Sequence, residues 1–413
     1  MVRAAVLASV LLAAALASVL LAAACSEPPR AQPSPSGSPS PSVAAASPSA
    51  SSSPTAAATP TASSAPAIAR DDLTFRFHPL VAPGWRPAGP TVVIETGPGI
   101  DGTALVAVPV TRPPSAATAL ASFGFGSWQL RADASALAIS VEVDSNTTRL
   151  ASWDLRSGTT RWVTPDEPAV QVGGPVWSSD GAFIYYGAHA ATPFTDLGIF
   201  GVGADGHQTR IHGPDGTGGE PLRLTPDGRG LVWARARAGG SADVLDLGTG
   251  ANRGFDPTGS AAAVSWRAAR PRALVLTGNC CAGQPGGALH LWDDVAGTET
   301  PLLDPTSAPR LAVGSADWDP SGTRIAAAVY DRTAGAASGA SIVVLDPATG
   351  ARRLVPGTDG VVQLRWLPAG IVYSTSSSGG PSNELILVAP DGSAKVTLYR
   401  GELPFRIGQV LQP

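Results

Sequence analysis

Lysine is nearly absent from this 413-residue chain: Lys395 is the only one, and arginine carries the remaining positive charge. No basic run occurs and the formal net charge is −4, so nucleic acid is not an expected partner on electrostatic grounds. Cysteine is scarce too. Cys25, Cys280 and Cys281 are the whole complement, and none stands at metal-ligand spacing. The five histidines (His78, His189, His207, His212, His290) are scattered and form no H-E-x-x-H pattern. No G-x-S-x-G elbow is present. No long stretch keeps a helical period. The sequence therefore predicts no catalytic residue, no metal site and no cofactor, and it excludes a helical bundle.

What the chain does have begins at its N-terminus. Arg3 precedes an uncharged run of Ala, Val, Leu and Ser over residues 4–24, which ends at Cys25. Residues 1–24 read as a signal peptide. Leu21-Ala22-Ala23-Ala24-Cys25 resembles a bacterial lipoprotein processing box, although Ala22 stands where that family prefers Leu. The resemblance implies that Cys25 carries the lipid and that the membrane is reached through it, with the rest of the chain on the extracytoplasmic side of a bacterial cell membrane. The other reading is an uncleaved anchor, since about 20 apolar residues span a bilayer. Residues 25–69 are then almost entirely Ala, Ser, Pro and Thr. Such a composition cannot bury enough apolar surface to offset its ordering entropy, so a disordered linker is expected. Extended at roughly 3 Å per residue, it would reach about 100 Å.

Residues 70–413 contain a repeat. Trp85, Trp128, Trp177, Leu224, Trp266, Trp318 and Trp366 mark one recurring position, at intervals of 42 to 52 residues. A small polar turn follows several markers, as in Trp177-Ser178-Ser179-Asp180-Gly181 and Trp318-Asp319-Pro320-Ser321-Gly322. Each turn leads into a short β-branched or aromatic run such as Phe183-Ile184-Tyr185-Tyr186, which reads as a strand. A second half-motif, an apolar strand ending in a Gly turn, follows 20 to 30 residues later. Leu245-Asp246-Leu247-Gly248-Thr249-Gly250 and Leu345-Asp346-Pro347-Ala348-Thr349-Gly350 are examples. Four short antiparallel strands per repeat at this period predict an all-β fold, a β-propeller, whose blades must stack to cover their apolar faces. Seven markers give seven blades. The degenerate first repeat and a segment after Gly401 that would supply a closing strand leave six or eight open.

These turn motifs resemble the Asp-Gly blade repeat of TolB-like propellers. They are more distantly similar to WD-repeat blades, which share a strand-final pair such as Trp153-Asp154. The resemblance covers residues 74 to 402 and implies the fold. It implies little about function, because such blades serve binders and enzymes alike. TolB-like proteins usually carry an α/β domain before the propeller; the Ser/Pro linker stands in that place here.

Connections between second and third strands read as long, at about 141–149, 187–196, 235–242, 277–288, 330–341 and 374–384. In a propeller they project from one face, where variable loops on a rigid scaffold usually bind partners. Asp144, Asn146, His189, Asp196, Asn279, Asp331, Arg332 and Asn383 are the candidate binding-face residues. In one of these loops Cys280 and Cys281 are adjacent, and in an oxidising compartment they could close a vicinal disulfide. Some secreted propeller dehydrogenases stack such a ring on a quinone. The expected function is a binding or scaffolding lipoprotein whose loop face engages a protein or an envelope glycan. The alternatives are an extracytoplasmic propeller enzyme, of quinone-dependent dehydrogenase or lactonase type, and a sensor module.

Overall fold

A computed structural model describes residue 73 and residues 76–99, 102–124, 126–214, 219–235, 242–254, 261–267, 272–277, 287–303, 311–331, 339–375 and 383–412. The chain divides into two units, Met1–Pro60 and Thr61–Pro413, and every described residue belongs to the second. Residues 1–24, read above as a signal peptide, and residues 25–69, read as a lipidated Cys25 and a linker, lie outside the described residues. Among the described residues, no helix is long and apolar enough to cross a membrane.

The second unit is a seven-bladed propeller of antiparallel sheets. Six blades are four-stranded, and their strands follow one another outward from the channel in chain order or its mirror. Their innermost strands are Trp128–Leu130, Val170–Trp177, Gly219–Leu224, Ala261–Trp266, Leu311–Trp318 and Val361–Leu367, in blades 2 to 7. Blade 1 is assembled from both ends of the unit. Its inner strand is the C-terminal Phe405–Leu411, which pairs with Thr91–Gly99, and Phe77–Pro79 adds a fifth strand on the outer edge. The segment after Gly401 thus closes blade 1 instead of adding an eighth blade.

Two of the seven sequence markers are displaced by this arrangement. Trp85 lies between Phe77–Pro79 and Thr91–Gly99, on no inner strand. Trp128 lies two residues before the equivalent place, which Leu130 fills by pairing with Leu137 as Trp177 pairs with Ile184. Val410 occupies the place in blade 1. Marker periodicity still gives the right blade count, because an apolar residue stands once on each inner strand, at its turn end.

Seven apolar clusters hold the ring together, and each lies between two neighbouring blades. Val172, Ile184 and Ala138 join blades 2 and 3; Leu367, Val372 and Ile94 join blades 7 and 1. Each cluster takes in the residue at one inner strand's turn end, Leu130, Trp177, Leu224, Trp266, Trp318, Trp366 or Val410, and the cluster with Leu130 also takes in Trp85 and Trp128. The predicted reading of the tryptophans as blade core therefore holds. A lone blade would leave both faces wet, so packing energy is available only to the closed ring.

The turns follow from Asp and Gly chemistry. At the end of the third strands, Asp246 Oδ1 accepts from the Gly248 and Thr249 amides at 3.0 and 2.8 Å, and Asp346 Oδ1 from the Ala348 amide at 2.9 Å. Gly250 and Gly350 then adopt φ of 71° and 72°, a region open to glycine at little cost.

Candidate functional site

Inner strands expose an unpaired backbone edge to the channel, and such edges must be satisfied. Here the side chain just before each marker does much of this work. Gln409 of blade 1 holds the Leu130 amide and carbonyl of blade 2 at 2.9 and 2.8 Å. Gln129 Oε1 of blade 2 accepts from the Trp177 amide of blade 3 at 2.6 Å. Asp317 Oδ2 of blade 6 accepts from the Trp366 amide of blade 7 at 3.0 Å. Arg223 Nη1 of blade 4 donates to the Val264 carbonyl of blade 5 at 2.9 Å. Around the ring this place reads Gln409, Gln129, Val176, Arg223, Ser265, Asp317 and Arg365. Blades 1 to 3 contribute neutral groups, and the ionisable ones stand only in blades 4 to 7.

A bulge on most inner strands re-aims the neighbouring side chains. Register shifts bracket Leu222, Gly314, Val362 and Gly408. Leu222 and Val362 are each 40% exposed despite lying on an innermost strand. Among the chain's Asp, Glu, His and Cys in the described residues, no group of three or more could hold a metal ion.

The expected loop face is only partly made of loops. In blade 2 the second strand runs to Asp144 and the third starts at Thr147, so Ser145 and Asn146 alone connect them. In blade 3 the strands Phe183–Ala191 and Phe194–Gly203 are joined by Thr192 and Pro193. Residues 141–149 and 187–196 are therefore hairpins. Both runs carry mixed polar and apolar residues, which resemble a loop in sequence but alternate across an extended hairpin. In blades 4 to 7 the same connection is long: 236–241, 278–288, 332–340 and 376–382. The lengthened connections thus belong to four consecutive blades. Gly287 and Ala340, at the far ends of two of them, bond the free edges of the next inner strands through Val313 and Val361.

Among the described residues, the predicted ones fall at these connection ends in separate groups: Asp144 with Asn146 in blade 2, His189 opposite Asp196 in blade 3, Asp331 in blade 6 and Asn383 in blade 7. Asp144 Oδ1 accepts from the Asn146 amide at 2.8 Å, and that bond leads in holding its carboxyl below the ordinary range. His189 is half-buried, bonds Gln171 Oε1 at 2.9 Å and lies 4.7 Å from the Phe194 ring. Burial lowers its pKa and Asp196 opposes the shift. Asp196 is buried and accepts from the Gly198 amide at 2.8 Å. Asp331 ends the second strand of blade 6, and Asn383 begins the third strand of blade 7. Asn279, Cys280, Cys281 and Arg332 lie outside the described residues.

The opposite face holds an open cavity of about 430 Å3 between blades 2 and 3. Its arginines are engaged by protein: Arg131 donates to the Asp180 carbonyl, Arg161 to that of Ala204, and Arg156 pairs with Asp133.

No family model matches the chain, and no curated protein matches it. Solved structures do share its fold. A puromycin-hydrolyzing peptidase from Mycobacterium tuberculosis superposes with a TM-score of 0.55 at 17% identity, over 79% of this chain and 52% of that one. Oligogalacturonate lyase from Vibrio parahaemolyticus gives 0.50 at 12%, over 76% and 86%. TolB from Acinetobacter baumannii gives 0.42 at 16%, over 79% and 66%. This chain therefore spans about half of the peptidase. At these identities the likeness to the peptidase and the lyase shows the propeller fold alone.

Proposed function

We propose that the protein is an extracytoplasmic binding or scaffolding lipoprotein. Cys25 holds it to the membrane, and the long-connection sector of blades 4 to 7 engages a protein or an envelope glycan. One observation carries this reading: four consecutive blades lengthen the connection between their second and third strands, while blades 2 and 3 close it with two residues. Closing the hairpin does not need the extra chain, since two residues suffice in blades 2 and 3, although Gly287 and Ala340 within it also pair with the next inner strands. Longer connections add closure entropy, and chain retained at such a cost on a rigid scaffold commonly carries recognition.

The test replaces the connections of blades 4 to 7, singly and together, by the Ser145-Asn146 turn of blade 2. Circular dichroism and the melting temperature would verify the fold. The reading expects crosslinked capture of the envelope partner to fall at least tenfold with fold retained. Undiminished capture by the folded fourfold variant would refute it. The single replacements keep the test decisive if the fourfold variant does not fold.

A further inference from the structure

The charged channel wall is a second feature of blades 4 to 7, independent of what the loop sector binds. Arg223, Ser265, Asp317, Gln363 and Arg365 line one cavity of about 130 Å3, whose apolar wall includes Leu276. At about 30 Å3 of liquid per water, it has room for a few waters or one small polyatomic ion.

Its charges do not balance. Among the described residues, Asp317 takes hydrogen bonds from neutral donors: the Ser265 hydroxyl at 2.5 Å, the Trp318 amide at 3.1 Å and the Trp366 amide at 3.0 Å. Among the described residues, neither arginine forms an ion pair. Arg223 donates to the Val264 carbonyl at 2.9 Å and Arg365 to the Leu364 carbonyl at 2.8 Å. Each guanidinium has five N–H donors in a planar fork, so most remain uncommitted. The carbonyl bond to the next blade explains why a donor stands at position 223. It does not explain why a second cation, Arg365, lines the same cavity beside one carboxylate whose bonds are already met.

We infer that this channel cavity binds a small oxyanion, a carboxylate or a phosphate, between Arg223 and Arg365. A bound anion would accept the uncommitted N–H groups and relieve the repulsion between the two cations, as guanidinium forks suit both ligand types. Asp317 would then set the affinity by opposing the anion.

The test is isothermal titration of the purified full-length chain with inorganic phosphate and, separately, with acetate, at fixed ionic strength against a chloride control. Saturable binding of at least one is expected, and which one binds names the class. Arg223→Gln and Arg365→Gln should each weaken it at least tenfold. Asp317→Asn, which keeps an acceptor oxygen and removes the charge, should tighten it severalfold. Circular dichroism of each variant separates lost binding from lost fold, and the tightening in Asp317→Asn stands as a test if the arginine variants do not fold. Absence of saturable binding of either anion, equal binding by a folded arginine variant, or weaker binding by a folded Asp317→Asn would overturn the inference.

Discussion

Gln409 grips the backbone of Leu130 from both sides, its Oε1 accepting from the amide at 2.9 Å and its Nε2 donating to the carbonyl at 2.8 Å. This pair joins the last strand of the chain to blade 2 and so fastens the ring where its two ends meet. Removing the side chain leaves two backbone groups of an inner edge without partners. Loss of a buried partner costs about 1–3 kcal/mol. Gln409→Ala should lower the urea-unfolding free energy by about that amount, and an unchanged midpoint would show that the clamp contributes nothing.

Trp153 is 1% exposed and meets Phe77 edge-on at 5.6 Å between ring centroids. Its indole Nε1 is buried, with no hydrogen-bond partner among the described residues. Two outcomes follow. Trp153→Ala should cost about 3–5 kcal/mol through lost burial and the cavity left behind. Trp153→Phe should cost distinctly less, because no hydrogen bond is lost with the ring nitrogen. Equal costs for the two variants, read by equilibrium unfolding, would count against this packing account.

Gly370 adopts φ +137°, and a Cβ added there would stand 2.5 Å from the Val388 carbonyl oxygen across the hairpin of blade 7. Both the backbone conformation and the close approach require glycine. Gly370→Ala should destabilise by about 1–3 kcal/mol. A melting temperature equal to that of the parent chain would contradict the claim.

Acid should unfold the ring through its turns. Burial works to raise the Asp319 pKa. Bonds from the Arg324 amide, the Ser321 hydroxyl and the Thr323 amide outweigh it and hold the carboxyl below its ordinary value. Asp346 is lowered by the Thr349 hydroxyl and the Ala348 amide, and Asp391 by the Ser393 hydroxyl and amide. A carboxyl with a depressed folded pKa stabilises fully above its unfolded value, near pH 4. That contribution is lost as pH falls through the folded value. His189 acts in the same direction at higher pH: its lowered pKa means that stability declines as pH drops below about 6.5. Urea midpoints should therefore fall in two stages, below about pH 6.5 and again below about pH 4. His189→Gln should remove the first stage only; its persistence in that variant would assign it elsewhere.

Much of the fold was legible because propeller chemistry repeats. The Asp-Gly turns after Asp246 and Asp346 are local and carry their own signal, and Trp177, Trp266, Trp318 and Trp366 stand where burial demands an apolar residue. Errors arose where a repeat departs from the pattern. Blade 1 takes its inner strand from the far end of the chain, so Trp85 keeps the sequence spacing while Val410 holds the position in the ring. The hairpins at Asn146 and Pro193 read as loops because their strands are polar at the tips. The channel ring escaped sequence reading for another reason. Asp317 and Arg365 each precede a marker tryptophan, which is a visible signal, but only closure of the ring brings them to one cavity with Arg223, more than ninety residues away in sequence.

The most direct test of the proposed binding role is to map where the captured envelope partner crosslinks to the full-length chain. The account predicts crosslinks concentrated on connections 236–241, 278–288, 332–340 and 376–382, and lost when these are shortened. Crosslinks concentrated instead on the opposite face, around the turns at Asp180 and Asp227, would contradict it.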